Sequence, residues 1–153
     1  MALFDARQNK RPMTHRLFIY GTLLPGLCRH SVMQGAQHIS AGKTMGCLYD
    51  LGPYPALVLQ PKSNDVEPAT WVRGELYEVS DALLTQLDSV EAYVPTQPDN
   101  SEYVRETVWV ESADGTQVQA WTYAYNQDLS AAQRIADGDY LRHLKETGFT
   151  PTW

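Results

Sequence analysis

The sequence lacks any apolar run near the roughly 20 residues that cross a bilayer. Its amino terminus, MALFDARQNKRPMTH, lacks the apolar stretch of a signal peptide. No membrane association is expected, and the expected location is cytoplasmic. Basic residues are also few, 12 against 18 acidic ones for a formal charge of −6, and the only basic cluster is Lys10 with Arg11. Such a chain has no surface to collect nucleic-acid phosphates or anionic lipid headgroups. Cysteine is limited to Cys28 and Cys47 with no C-x-x-C pair, so at most one disulfide is possible and free structural thiols are expected. The four histidines, His15, His30, His38 and His143, show no i, i+4 pair that would put two imidazoles on one helix face. No metal site is expected.

What is present is enough for one core. A chain of 153 residues, 43% of them apolar, is long enough for a single domain and short for two. That domain is expected over 16–150, after a polar segment, 1–15, that contains Pro12 and is expected to fray. The stretch RLFIYGTLLPG, residues 16–26, reads as a short buried strand ended by Gly21. Gly21 and Gly26 have the spacing of a phosphate-binding loop, but Leu27 and Cys28 follow where that loop needs Lys and Ser or Thr. A nucleotide site is therefore excluded.

A short helix is expected around His30 to Gln34, and strands over AGKTMGCLYDLG, ALVLQ and WVRGELYEV. SDALLTQLDSVEAY reads as a helix capped by Ser80 or Asp81, with Leu83, Leu84, Leu87 and Val90 on one face. Two β-rich runs flank Ala113-Asp114-Gly115 as a hairpin. The last segment, LSAAQRIADGDYLRHLKETG, reads as a helix capped by Ser130, interrupted near Gly138, restarted from Asp139 and closed by Gly148. Strands dominate and helices do not alternate with them. The expected class is α+β, a single domain with a mixed, mostly antiparallel, barrel-like sheet and a few flanking helices.

The helix after Ser80 carries a misplaced charge. Leu84, Leu87 and Glu91 fall at i, i+3 and i+7, which puts Glu91 on the flank of the apolar stripe. A carboxyl aimed at a core must find a partner or keep its proton, and such groups serve proton transfer. The same position is the last turn of a helix, where a carboxylate can bend out into water, so helical geometry alone leaves both readings open. Asp88, on the more polar side, is expected at the surface. Tyr123 and Tyr125 point to one face together and read as core or pocket lining.

Several blocks in a fixed order carry a resemblance: YGTL at 20–23, YPAL at 54–57, VRGELYEV at 72–79, LDSVEAY at 87–93, YVRETVWV at 103–110, AWTYAY at 120–125 and IADGDY at 135–140. Together they resemble the γ-glutamylcyclotransferase-like, or AIG2-like, family over about residues 16–142. The resemblance implies a small α+β domain with a barrel-like sheet and a cavity at one end. It further implies an enzyme that releases 5-oxoproline from a small γ-glutamyl compound without cofactor or metal. The family's YGSL-type loop falls on Tyr20, Gly21, Thr22 and Leu23, and its acid/base glutamate on Glu91. Tyr123 and Tyr125 are expected to line the cavity.

Two departures concern the rim: Ala92 follows the glutamate where many relatives have glycine, and VPTQPDNSE, 94–102, is longer than the family's loop. Arg105, in the YxR block, has two readings, contact with substrate or pairing with a neighbouring carboxylate, and pairing is expected because surface arginines are more often structural. The alternative to the enzyme is a non-catalytic member that binds a small acidic metabolite or a protein partner, because folds outlast their chemistry.

Overall fold

A computed structural model describes residues 13–59, 68–129 and 132–152; the segment expected to fray lies outside these up to residue 12. The first strand, β1 (Thr14–Ile19), is buried over Leu17, Phe18 and Ile19, with alternate side chains entering different cores. A continuous apolar run is what a strand covered on both faces requires. A 3₁₀ turn (His30–Met33) follows the loop after β1. Next come β2 (Gln37–Asp50), β3 (Pro55–Val58), β4 (Thr70–Ser80), α1 (Asp81–Val90), β5 (Tyr103–Ser112), β6 (Gln117–Tyr125), β7 (Gln133–Arg134) and α2 (Tyr140–Thr147).

Five of these strands close a ring in the order β2-β4-β1-β6-β5, with β5 returning to β2 through Gly42↔Ser112 and Lys43↔Glu111. All the ring pairings are antiparallel except β1 with β6, which run parallel at Leu17↔Trp121. The sheet is therefore mixed and barrel-like. β2 is 14 residues long and serves twice: its first part completes the ring, and its last residues pair with β3 and β7.

Phe18, Tyr20, Leu48, Leu57, Val72, Leu76 and Val110 form one core with residues from six strands and from α2. Leu17, Ile19, Tyr77 and Val79 form a second with Leu83, Leu84 and Leu87 of α1. The helix covers the outer face of β1 and β4. Ser80 caps it by accepting from the Leu83 amide at 3.1 Å, which satisfies one of the amides that a helix start leaves open.

One element differs from expectation. The helix read from Ser130 to Gly138 is a short strand and a turn instead; Ser130 itself lies outside the described residues. Gln133 and Arg134 pair with Asp50 and Tyr49, and the Ile135 amide donates to the Leu48 carbonyl at 2.8 Å. Ala, Gln and Arg favour a helix in isolation, but the free edge of β2 offers backbone partners that a helix would leave unused. The second half is as read: Asp139 caps α2 and Gly148 closes it in the left-handed conformation. No helix among the described residues is long and apolar enough to cross a membrane.

Candidate active site

The ends of β1 and α1 meet the starts of β3 and β5 and the end of β6 around a cavity. Its lining includes Tyr20 to Leu23 from the loop after β1, Tyr54 and Pro55 at the start of β3, Glu91 from the end of α1, Tyr103 and Tyr123. Arg29 reaches the same space from the far side of the loop. The YGTL stretch and Glu91, 70 residues apart, thus share one cavity, as does Tyr123. Tyr125 does not line it. Its ring packs edge-on against Tyr103 at 5.2 Å, one layer behind the wall.

The loop after β1 turns tightly. The Leu24 amide donates to the Gly21 carbonyl at 2.9 Å and the Arg29 amide to the Thr22 carbonyl at 3.0 Å. These bonds use the loop's carbonyls. The amides of Gly21, Thr22 and Leu23 donate to no acceptor among the described residues. A glycine is required at its start, because a Cβ on Gly21 would lie 2.8 Å from Pro55 Cγ and 3.0 Å from Cδ. Gly21→Ala is expected to push the loop off the β3 ring and to lower kcat/KM by about 10- to 100-fold, with a far-UV spectrum like that of the parent; steady-state kinetics and circular dichroism check this.

The cavity's phenols are already committed. Tyr20 donates to the Tyr123 carbonyl at 2.5 Å, Tyr103 to the Pro55 carbonyl at 2.7 Å, and Tyr123 to the Asp88 carboxylate at 2.8 Å. Burial raises the pKa of all three. They are neutral walls, and their hydroxyls hold the strands together. Tyr54, nearer the rim, donates to Glu102 at 2.8 Å and is pushed up to about 12, first by burial and then by that carboxylate.

Glu91 is different. It is 9% exposed, and its carboxyl takes no hydrogen bond among the described residues. Burial raises it from an ordinary 4.5 to about 7; the Arg29 guanidinium draws it back and the Glu102 carboxylate adds to the rise. Its charge acts in turn on Tyr20, Tyr103 and Tyr123. Glu91 thus lines the cavity with a carboxyl that burial holds well above the ordinary carboxylate range.

The backbone explains why it points inward. Glu91 caps α1, its amide donating to the Leu87 carbonyl at 2.9 Å. Ala92 then takes φ of 53°, the one non-glycine residue with positive φ among those described. That conformation costs an alanine about 1 kcal/mol and persists only where its surroundings hold it. Here the Tyr93 amide donates to the Asp88 carbonyl at 2.8 Å, and the Glu102 amide to the Ala92 carbonyl at 3.1 Å. Between Tyr93 and Glu102 the chain closes on itself. The Val94 amide donates to Ser101 Oγ at 2.8 Å, and the Gln97 amide to the Val94 carbonyl at 2.9 Å.

Asp88 is not at the surface, contrary to expectation. It is 7% exposed and pairs with Arg105 besides accepting from Tyr123. The helix spacing alone gave no signal for this, since both partners come from strands late in the chain. Arg105 does pair with a carboxylate, that of Asp88. Among the described residues no group of three His, Cys, Asp or Glu side chains is arranged to hold a metal ion.

The profile of the gamma-glutamyl cyclotransferase, AIG2-like family matches residues 17–142. A Vibrio cholerae protein, provisionally named a gamma-glutamylcyclotransferase, is 36% identical over 134 residues, covering 86% of this chain and 100% of its own. The gamma-L-glutamyl-butirosin B gamma-glutamyl cyclotransferase of Niallia circulans is 34% identical over 86% of this chain and 80% of its own. Among solved structures, YkqA from Bacillus subtilis superposes with a TM-score of 0.68 at 26% identity. That match takes in 89% of this chain, which spans 43% of YkqA's length.

Proposed function

The chain belongs to the gamma-glutamyl cyclotransferase, AIG2-like family, and from that premise we propose that it cyclises a small γ-glutamyl compound to 5-oxoproline, with Glu91 as the acid/base. One observation carries the reading: a buried carboxyl with no hydrogen-bond partner among the described residues shares a cavity with three uncommitted backbone amides.

The reaction is internal. Glu91, as the carboxylate, takes a proton from the substrate's α-ammonium. The freed amine attacks the γ-carbonyl carbon, a C–N bond forms, and the carbonyl electrons move to oxygen. The amides of Gly21, Thr22 and Leu23 provide donors for that oxyanion and for the α-carboxylate without adding a side-chain charge. As the oxyanion collapses, the original amide C–N bond breaks. The leaving nitrogen takes the proton from Glu91, the ring nitrogen gives its remaining surplus proton to the carboxylate so regenerated, and that proton leaves on the departing amine, so that 5-oxoproline and an ammonium or amino acid are released. Tyr20 and Tyr123 wall the cavity, and Tyr125 supports that wall from behind. Their fixed rings keep the flexible glutamyl chain folded in reacting geometry. Nothing in the sequence of steps calls on a metal or cofactor.

The test is incubation of the purified protein with γ-glutamyl amines and γ-glutamyl dipeptides, followed by assay of 5-oxoproline. Release from at least one is expected. No release from any, together with calorimetric binding of a small acid, would replace the enzyme with a binding protein.

A further inference from the structure

Arg105 lies outside the cavity, yet it touches both ends of the turn that carries Glu91. Upstream, its Nε stands 2.9 Å from Asp88 Oδ1, and its Nη2 donates to Oδ2 at 3.3 Å. Downstream, its guanidinium lies 5.8 Å from the ring centre of Tyr93 and 4.4 Å from that of Trp121. Asp88 and Tyr93 are themselves joined through the backbone bond beneath Glu91 and the left-handed Ala92.

We propose that Arg105 is a positioning residue for the cyclisation, holding Glu91 toward the cavity by clamping Asp88 on one side and Tyr93 on the other. The proposal rests on the role given to Glu91 above. A guanidinium suits the place: one nitrogen donates to the carboxylate and a second lies within ion-pair distance of it, while the delocalised cation sits near two aromatic rings. An ammonium keeps the charge and loses that geometry. Arg105 belongs to β5 and Trp121 to β6, paired strands of the ring, so the clamp ties the end of α1 to rigid sheet. Asp88 also holds the Tyr123 hydroxyl, which sets one wall of the cavity by the same contact.

The clamp is distinguishable from ordinary structural support because it has a titration signature. The charged and titratable groups that face Glu91 are Tyr20 and Arg29 from the loop after β1, Glu102 just before β5, Tyr103 at its start, and Tyr123 on β6. Those groups stay when Arg105 changes; what changes is how far the Glu91 carboxyl turns from them toward water.

Arg105→Lys and Tyr93→Leu are compared with the parent by kinetics, thermal melting and carbon-13 NMR titration of the Glu91 side chain. For folded Arg105→Lys, kcat is expected to fall about tenfold with KM within about twofold. The Glu91 titration is expected to move down from near neutrality toward the ordinary carboxylate range. Tyr93→Leu, which leaves the ion pair, is expected to shift both in the same direction by less, and it decides the matter if Arg105→Lys does not fold. An unchanged Glu91 titration in a folded variant overturns the proposal, whether or not kcat falls. Failure of the parent to release 5-oxoproline would sink the functional reading instead, and the titration alone would then judge the clamp.

Discussion

Glu91→Gln is expected to lower kcat by about 10²- to 10⁴-fold, the usual contribution of a general acid/base, while the protein stays folded. The amide matches the carboxyl in shape but can neither take the α-ammonium proton nor return it to the leaving nitrogen. The parent's kcat/KM should rise with pH through about 7, where burial places the Glu91 ionisation, and the variant should lack that limb. A variant as active as the parent would remove Glu91 from the mechanism even with the activity intact.

The same substitution has a stability signature of fixed sign. Below pH 4.5 Glu91 is protonated in both the folded and the unfolded chain. Between 4.5 and about 7 the unfolded chain releases a proton that the fold retains. Stability therefore falls as pH rises through this window and is level above it. A rise from 4.5 to about 7 corresponds to about 3 kcal/mol. Denaturant midpoints at pH 4.5 and pH 8 should show the loss in the parent and little of it in Glu91→Gln. Proton transfer near neutrality and reduced stability there share one cause, the carboxyl's isolation from water and from partners.

Gly74→Ala should have a large effect on folding, more than about 3 kcal/mol, read as the denaturant midpoint or as failure to accumulate soluble protein. Gly74 sits in β4 where it passes β1. A Cβ there would stand 2.1 Å from the Ile19 carbonyl oxygen and 2.8 Å from the Phe18 ring. Neither can yield cheaply: Phe18 is buried in the ring's core, and Ile19 is the last residue of β1. The strands must part at the point where the chain enters Tyr20 and Gly21. Any folded remainder should therefore show an impaired site as well. Parental stability in Gly74→Ala would mean that β1 and β4 do not approach so closely.

How legible each part was depended on whether its cause lay nearby in the chain. α1 was readable because its cap and its leucine spacing are local, and the β5–β6 hairpin because its turn residues are adjacent. β7 was not, since what makes Gln133 and Arg134 extended is the unpaired edge of β2, some 85 residues earlier. Glu91 showed as a carboxylate on an apolar flank, and the family resemblance chose between two readings that the helix left open. Asp88 was misread because the groups that bury it, Arg105 and Tyr123, approach from strands that no helical periodicity reports. Tyr125 shares its side of β6 with Tyr123, and alternation could not reveal that the Tyr103 ring stands between it and the cavity.

The segment from Tyr93 to Glu102 is bonded to itself, and at its far end to Ala92. A loop whose two stems already meet can change length at little entropic cost, because closure scales only with the logarithm of length. Residues can be added or removed there without moving Glu91 at one stem or Tyr103 at the other. The far stem reaches the cavity lining through Glu102, which accepts from Tyr54, while the residues between the stems lie outside that lining. Loops exchanged between relatives at these two stems should transfer a preference among leaving amines while the acid/base step stays as it is.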